Sequence, residues 1–248
     1  MKYTVIANWK MYIEKPEAAK RYITTFKRTS RSLKNLDITL VPPFTLIPTL
    51  RAALGQSTVH LGAQAISPFS EAKHTGDVSA AMLKSFGVTH VIVGHSERRA
   101  AGESLDAVRA QIERAQAAGL TVVLCIGEVE RDPQGAYLTA VAEELTTALR
   151  GNKSSKLIVA YEPVWAIGKS AQEAMKPQEL QEMVIFIRKT LADVVGRAPA
   201  LKVPILYGGS VEIENAKTLL QEGGVAGFLV GHASTDAEKF ITLLKTLA

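Results

Sequence analysis

The stretch KLIVAYEPVWAIG (156–168) holds five apolar residues in a row, Leu157 to Tyr161, then Glu162, a proline, and the apolar residues Val164, Trp165 and Ile167. An apolar run of that length with no polar alternation reads as a strand covered on both faces, the pattern of a parallel sheet flanked by helices. The carboxylate falls where the strand ends, and large apolar side chains follow it into a loop.

The same kind of run recurs along the chain: YTVIAN (3–8), DITLVP (37–42), TVHLGA (58–63), THVIVG (89–94), LTVVLCIG (120–127), VPILYG (203–208) and AGFLVG (226–231). Helical spacing fills the gaps. In 16–34, Pro16 suits a first turn and Ala19, Tyr22, Ile23, Phe26 and Ser30 share a face. In 177–195, Pro177 sits near the start, and Leu180, Met183, Val184, Ile187, Leu191 and Val194 repeat at helical intervals. Gly119 stops a helix over 103–118. The series makes eight strand–helix units with no linker or low-complexity break, so residues 1–248 are expected to form a single α/β domain, a closed (β/α)8 barrel. A doubly wound open sheet is the alternative.

Composition narrows the function. The 248 residues are 47% hydrophobic, enough for a large core, and carry a formal charge of +5. The basic residues are scattered; the densest group, Lys27, Arg28, Arg31 and Lys34, reads as a solvated helix face. That balance suits a small anionic substrate, and no nucleic-acid partner is expected. The lone cysteine, Cys125, lies in an apolar run and reads as a core residue in a reducing, cytoplasmic compartment. No run is long enough for a membrane span, and the first apolar run ends too soon for a signal sequence. The sequon at Asn152-Lys153-Ser154 reads as a chance match. There is no HExxH or CxxC, and the five histidines lack ligand spacing, so no metal is expected.

Barrels and open α/β sheets both bind ligands at the carboxyl ends of their strands. Those positions carry Asn8-Trp9-Lys10, His95-Ser96-Glu97-Arg98, Glu162, Gly208-Gly209-Ser210 and Gly231-His232-Ala233-Ser234. Glycine-rich turns after the last two strands let peptide N–H groups approach a phosphate, and a helix opening near Ala233-Ser234 would aim its positive end there. Gly168-Lys169-Ser170 is not a P-loop tail, because Pro163 stands where the first glycine belongs.

A carboxylate among apolar side chains loses preference for its charged form and becomes a competent carbon base. Val164, Trp165 and Ile167 would supply that setting if the segment folds over Glu162 as a lid. Removing a proton beside a carbonyl also requires stabilising the enolate oxygen. His95 can donate to it, Lys10 can supply charge to enolate and phosphate alike, and Glu97 can hold Lys10. Each residue also has an ordinary structural alternative.

NWK (8–10), GHSERR (94–99), CIGE (125–128), YEPVWAIG (161–168), YGGSV (207–211) and GFLVG (227–231) resemble, in order, the signature segments of the triosephosphate isomerase family, across essentially the whole chain. The resemblance implies a (β/α)8 barrel that interconverts dihydroxyacetone phosphate and glyceraldehyde 3-phosphate without a cofactor, in glycolysis and gluconeogenesis. Glu162 matches the general base, His95 the electrophile and Lys10 the electrostatic residue, with Asn8 its neighbour. Gly168, Ser210, Gly231 and His232 match the phosphate contacts, and Glu97 a supporting residue. The family also implies a homodimer, docked through a loop matching Ser67–Gly76. The chain departs from the pattern in the lid after Gly168, where Gln172–Lys176 is long. It also has His232 where glycine is common, Tyr12 and Ala65 where asparagine is usual, and a short stretch after Glu128. A phosphate-binding protein without catalysis, and another phosphate-binding barrel such as an aldolase, are the rival readings. A Schiff-base aldolase needs a lysine on an inner strand, and only the rim residue Lys10 comes near that.

Overall fold

A computed structural model describes residues 2–30, 33–152, 156–170 and 173–248. Eight parallel strands close on themselves in chain order: β1 (Tyr3–Asn8), β2 (Leu36–Val41), β3 (His60–Ala63), β4 (His90–Val93), β5 (Thr121–Ile126), β6 (Leu157–Tyr161), β7 (Ile205–Tyr207) and β8 (Gly227–Val230). The expected barrel is therefore present, and the open sheet is excluded because β8 pairs with β1. The pairing is uneven: six residue pairs join β1 to β2, whereas the β7–β8 seam registers through Tyr207 and Phe228 alone.

The helices are α1 (Pro16–Ser30), α2 (Ile47–Leu54), α3 (Ala80–Ser85), α4 (Ser96–Ala100), α5 (Leu105–Ala117), α6 (Ala136–Ala148), α7 (Pro177–Val195), α8 (Arg197–Ala200), α9 (Ile213–Glu222) and α10 (Ala237–Leu247). The spacing over 177–195 matches α7 end to end. The first helix is shorter than its expected span of 16–34: Lys34 and Asn35 already form a turn, and Leu33 is buried where the chain enters β2. Arg31, part of the basic cluster, lies outside the described residues, as do Lys153 and Ser154 of the sequon. Among the described residues no helix is long and apolar enough to cross a membrane.

The unbroken apolar runs serve two cores. Ile6, Val41, Ile92, Val123, Cys125, Ile158, Ala160, Leu206 and Leu229 fill the barrel interior. Their strand neighbours, such as Val5, Ala7, Leu124, Val159, Tyr161 and Val230, face the helices. This two-residue alternation directs the rim. Asn8 continues the inward set after Ile6, and Glu162 continues it after Ile158 and Ala160. Cys125 belongs to the interior packing, and burial pushes its thiol well up.

At the opposite end, where the strands begin, Asp37, His60 and His90 meet. Asp37 Oδ1 lies 3.1 Å from His60 Nε2, the two imidazole rings are 5.1 Å apart, and Thr89 Oγ1 is 2.8 Å from His90 Nδ1. The hydrogen bond lowers Asp37 and raises His60. Burial, reinforced by the charge of His60, pushes His90 down to about 4. A histidine depressed in the fold contributes its full stability above its unfolded value near 6.5 and loses it as pH falls towards 4. His60 works in the opposite sense, contributing below its unfolded value and fading as pH rises, but its pair with Asp37 is 41% and 43% exposed and counts for little. Stability is expected to drop by up to about 3 kcal/mol over that acid range. His90→Gln, followed by thermal melts from pH 7 to 4, should remove most of the slope; an unchanged slope would clear His90 of responsibility.

Candidate active site

The carboxyl ends of the strands surround a cavity of about 410 Å³. Asn8, Lys10, His95, Glu162, Gly168, Ser210, Gly231 and His232 all line it. Glu97, expected to support the site, stands just behind it: its carboxylate reaches Lys10 Nζ at 2.5 Å.

Glu162 is the first residue past β6 and only 1% exposed. Its Oε2 accepts from the Ser96 N–H at 3.1 Å, at the start of α4, and its Oε1 lies 3.3 Å from His95 Nε2. The backbone beneath it leaves no slack. A methyl on Gly208 would come within 2.7 Å of Glu162 Cγ, so only glycine lets β7 pass this close. Gly208→Ala is therefore expected to displace the carboxylate and cut turnover by at least ~10-fold while the barrel still folds. Paired activity and melting measurements check this; wild-type turnover would mean that the close approach has no functional consequence.

His95 caps α4. Its Nδ1 accepts from the Glu97 N–H at 3.2 Å, which assigns the ring proton to Nε2, the nitrogen facing Glu162 and the cavity. The positive φ of Gly94 (70°) turns the chain sharply between β4 and this cap.

Lys10 is the sole non-glycine among the described residues with a positive φ, at 45°. A left-handed lysine costs on the order of 1–3 kcal/mol and persists only where its surroundings impose it. Here the Lys10 N–H donates to Asn8 Oδ1 at 3.1 Å, and Gln64 Nε2 donates to the Lys10 carbonyl at 2.8 Å. A methyl on Gly231 would lie 4.0 Å from Lys10 Nζ, so the ammonium stands beside the last glycine-rich turn.

That turn opens a short 3-10 helix, His232–Ser234. The first N–H groups of such a turn have no acceptor within it. His232 does not require a positive φ, so a side chain is tolerated where glycine was expected. Ser234 Oγ donates to the Gly231 carbonyl at 2.7 Å and steadies the loop. Across the cavity, the Lys169 N–H donates to Ser210 Oγ at 2.9 Å, joining the lid segment to the loop after β7.

The lid is partly as expected. Ile167 lines the cavity with Gly168 and Lys169. Trp165 does not: its indole N–H donates to Glu128 Oε1 at 2.9 Å, and its ring packs against Arg131. Glu128 is buried and also accepts from Tyr161 Oη at 2.8 Å and Arg131 Nε at 3.0 Å. The start of the lid is thus pinned at one hub. Of the long segment Gln172–Lys176, Gln172 lies outside the described residues; Met175 is buried.

Gln64 escaped the sequence reading because its contacts lie far along the chain. Arg99 is a similar case. It donates to the carbonyls of Gly94, Cys125 at 3.1 Å and Gly127 at 3.0 Å, and pairs with Glu144 at 3.2 Å, tying together the ends of β4 and β5. The GHSERR and CIGE segments contain part of this framework but do not reveal which residues meet.

Fold and rim together define a class: (β/α)8 barrels with polar side chains gathered in a cavity at the carboxyl ends of the strands. Comparison with known proteins narrows it. A family model described as triosephosphate isomerase matches residues 3–247. Triosephosphate isomerase from Fusobacterium nucleatum is 39% identical, with 99% of each chain covered. Triosephosphate isomerase from Carboxydothermus hydrogenoformans is 38% identical, with 97% of each covered, and that from Chlamydia trachomatis is 39% identical over 99% of this chain and 90% of its own. The chain belongs to the triosephosphate isomerase family.

Proposed function

We propose that this chain, working as one unit over residues 1–248, interconverts dihydroxyacetone phosphate and D-glyceraldehyde 3-phosphate in the central sugar metabolism of the cytoplasm. The observation that carries the reading is the 3.3 Å approach of Glu162 Oε1 to His95 Nε2 inside a cavity that also holds Lys10 and two amide-rich turns.

The phosphate lodges against the peptide N–H groups of Gly168, Gly231 and His232 and beside Ser210, whose own N–H donates to the Ala166 carbonyl at 3.2 Å until the phosphate takes it over, with Lys10 supplying charge. Glu162 takes the proton from the carbon beside the carbonyl. The electron pair moves into a carbon–carbon double bond, and the former carbonyl becomes an enediolate. His95 Nε2–H donates to that oxygen, and Lys10 stabilises its charge, the kind of preorganised donor whose loss costs ~10²–10³ in rate. The hydroxyl proton on the deprotonated carbon passes through His95 to the former carbonyl oxygen, Glu162 returns its proton to the former carbonyl carbon, and the carbonyl re-forms on the carbon that was deprotonated. Each atom of the substrate is retained, so the step balances without a cofactor. Asn8 and Glu97 hold Lys10 in place.

A homodimer fits the exposed rim beside the site. Met11, Tyr12 and Phe44 are exposed along a groove that also includes Gln64 and Ala65, while the loop over 67–76 projects Phe69, stacked on His74. Light scattering at micromolar concentration, giving twice the chain mass, is the expected result.

A coupled assay with glyceraldehyde 3-phosphate tests the function. Turnover abolished by Glu162→Gln supports it; tight 2-phosphoglycolate binding without turnover would favour the non-catalytic binding protein.

A further inference from the structure

Two of the chain's departures from the family pattern meet in space. Tyr12 follows β1 and His232 follows β8, and their rings pack edge to face with centroids 5.3 Å apart and planes at 62°. Strands β1 and β8 are the pair that closes the barrel, registered from Thr4↔Gly227 to Ala7↔Val230. The contact therefore spans the closing seam, on the rim above it, and both residues line the cavity.

Burial does not account for the pairing. Tyr12 is 58% exposed and His232 is exposed as well, so neither ring is driven there by the core. The residues usual at these positions, asparagine and glycine, could not make a ring contact. What the contact joins is more telling. Tyr12 belongs to the loop that carries Lys10, and the Tyr12 N–H donates to the Trp9 carbonyl at 3.0 Å, closing that loop into a turn. His232 is the first residue of the 3-10 turn, and with Gly231 and Ala233 it lines the cavity. One side of the contact bears the ammonium and the other the amides, and Gly231 already stands close to Lys10.

We propose that the Tyr12–His232 ring pair is a positioning clamp for the phosphate end of the site: it fixes the β8 amides against the Lys10 loop and thereby sets affinity for a phosphate monoester. The proposal rests on the isomerase reading for its substrate, but the grip on phosphate is independent of turnover. An interaction made equally in the ground and transition states raises KM on its loss and leaves kcat, and the ring pair, which touches no reacting atom, acts in that way. Tyr12 and His232 act through each other, so the second substitution should add little to the first.

Calorimetric titration with inorganic phosphate, beside steady-state kinetics with glyceraldehyde 3-phosphate, tests this on the full chain. Tyr12→Ala and His232→Ala are each expected to raise the phosphate Kd and the substrate KM by about three- to tenfold with kcat within about twofold. The double variant should be no worse than the weaker-binding single, and Tyr12→Phe, which keeps the ring, should bind like wild type. Kd and KM unchanged in both single variants would overturn the clamp. So would independent, multiplying effects, or a fall in kcat at constant KM. Light scattering on each variant separates the clamp from subunit association: weakened phosphate binding at unchanged mass supports it, and weakening only where the mass falls overturns it. Should Tyr12→Ala fail to fold, Tyr12→Leu with His232→Ala carries the same cycle. If wild type binds phosphate through the pair yet turns over no triose phosphate, the isomerase reading fails and the clamp stands.

Discussion

Glu162→Gln is expected to lose ~10²–10⁴ of kcat, the usual share of a placed acid–base group, while substrate KM stays within a few-fold of wild type. The amide matches the carboxylate in shape, and its oxygen can still accept from the Ser96 N–H that holds Oε2 at 3.1 Å. What it lacks is a basic oxygen. The fold should survive intact, because the amide fills the same buried space as the carboxylate. The coupled assay and a thermal melt on the same preparation decide the matter. A variant that folds normally and keeps more than a tenth of wild-type kcat would remove Glu162 from the role of base.

Lys10→Met carries the second large effect. Methionine keeps most of the stem and loses the ammonium, so the enediolate and the phosphate both lose their positive neighbour. A fall of at least ~10² in kcat/KM is expected, with saturation lost in the accessible substrate range. Glu97 is left without its partner, but its side chain is 60% exposed and water can solvate it, so the barrel should remain folded. The backbone provides an internal control. Lys10→Gly accepts φ 45° without steric cost, so it should be about 1 kcal/mol more stable than Lys10→Met yet equally poor at binding phosphate. Normal saturation kinetics in Lys10→Met would rule out the electrostatic role.

The barrel was legible because parallel strands are covered on both faces, and runs such as LIVAY and TVVLCI leave no solvent side to code for. The rim was legible for a related reason: each strand ends where the apolar run breaks, so Asn8, Lys10, His95, Glu162 and the glycine turns could be read in place. What stayed hidden depends on contacts between distant residues. Nothing local announces that Gln64 will hold the carbonyl of Lys10, or that Arg99 will bridge β4 and β5. Trp165 is expected above Glu162 because an exposed tryptophan needs an apolar reason; its indole N–H instead points at Glu128, and Arg131 lies over its ring. The first helix ends before the expected residue 34; its basic residues, Lys27 to Lys34, suit a helix end or a solvated turn equally well, and helical periodicity does not mark where such a segment stops.

The β7–β8 join, held in register by Tyr207 and Phe228 alone, is the thinnest stitch in an otherwise well-sewn cylinder. The loops that leave those two strands are the ones that would grip the phosphate. An occupant bound to both acts as an external rivet across the joint most prone to breathe, so hydrogen–deuterium exchange there should slow more on saturation than anywhere else in the ring. The proposed phosphate site and the thinnest join thus share one location, so an occupant of that site would help to keep the cylinder shut.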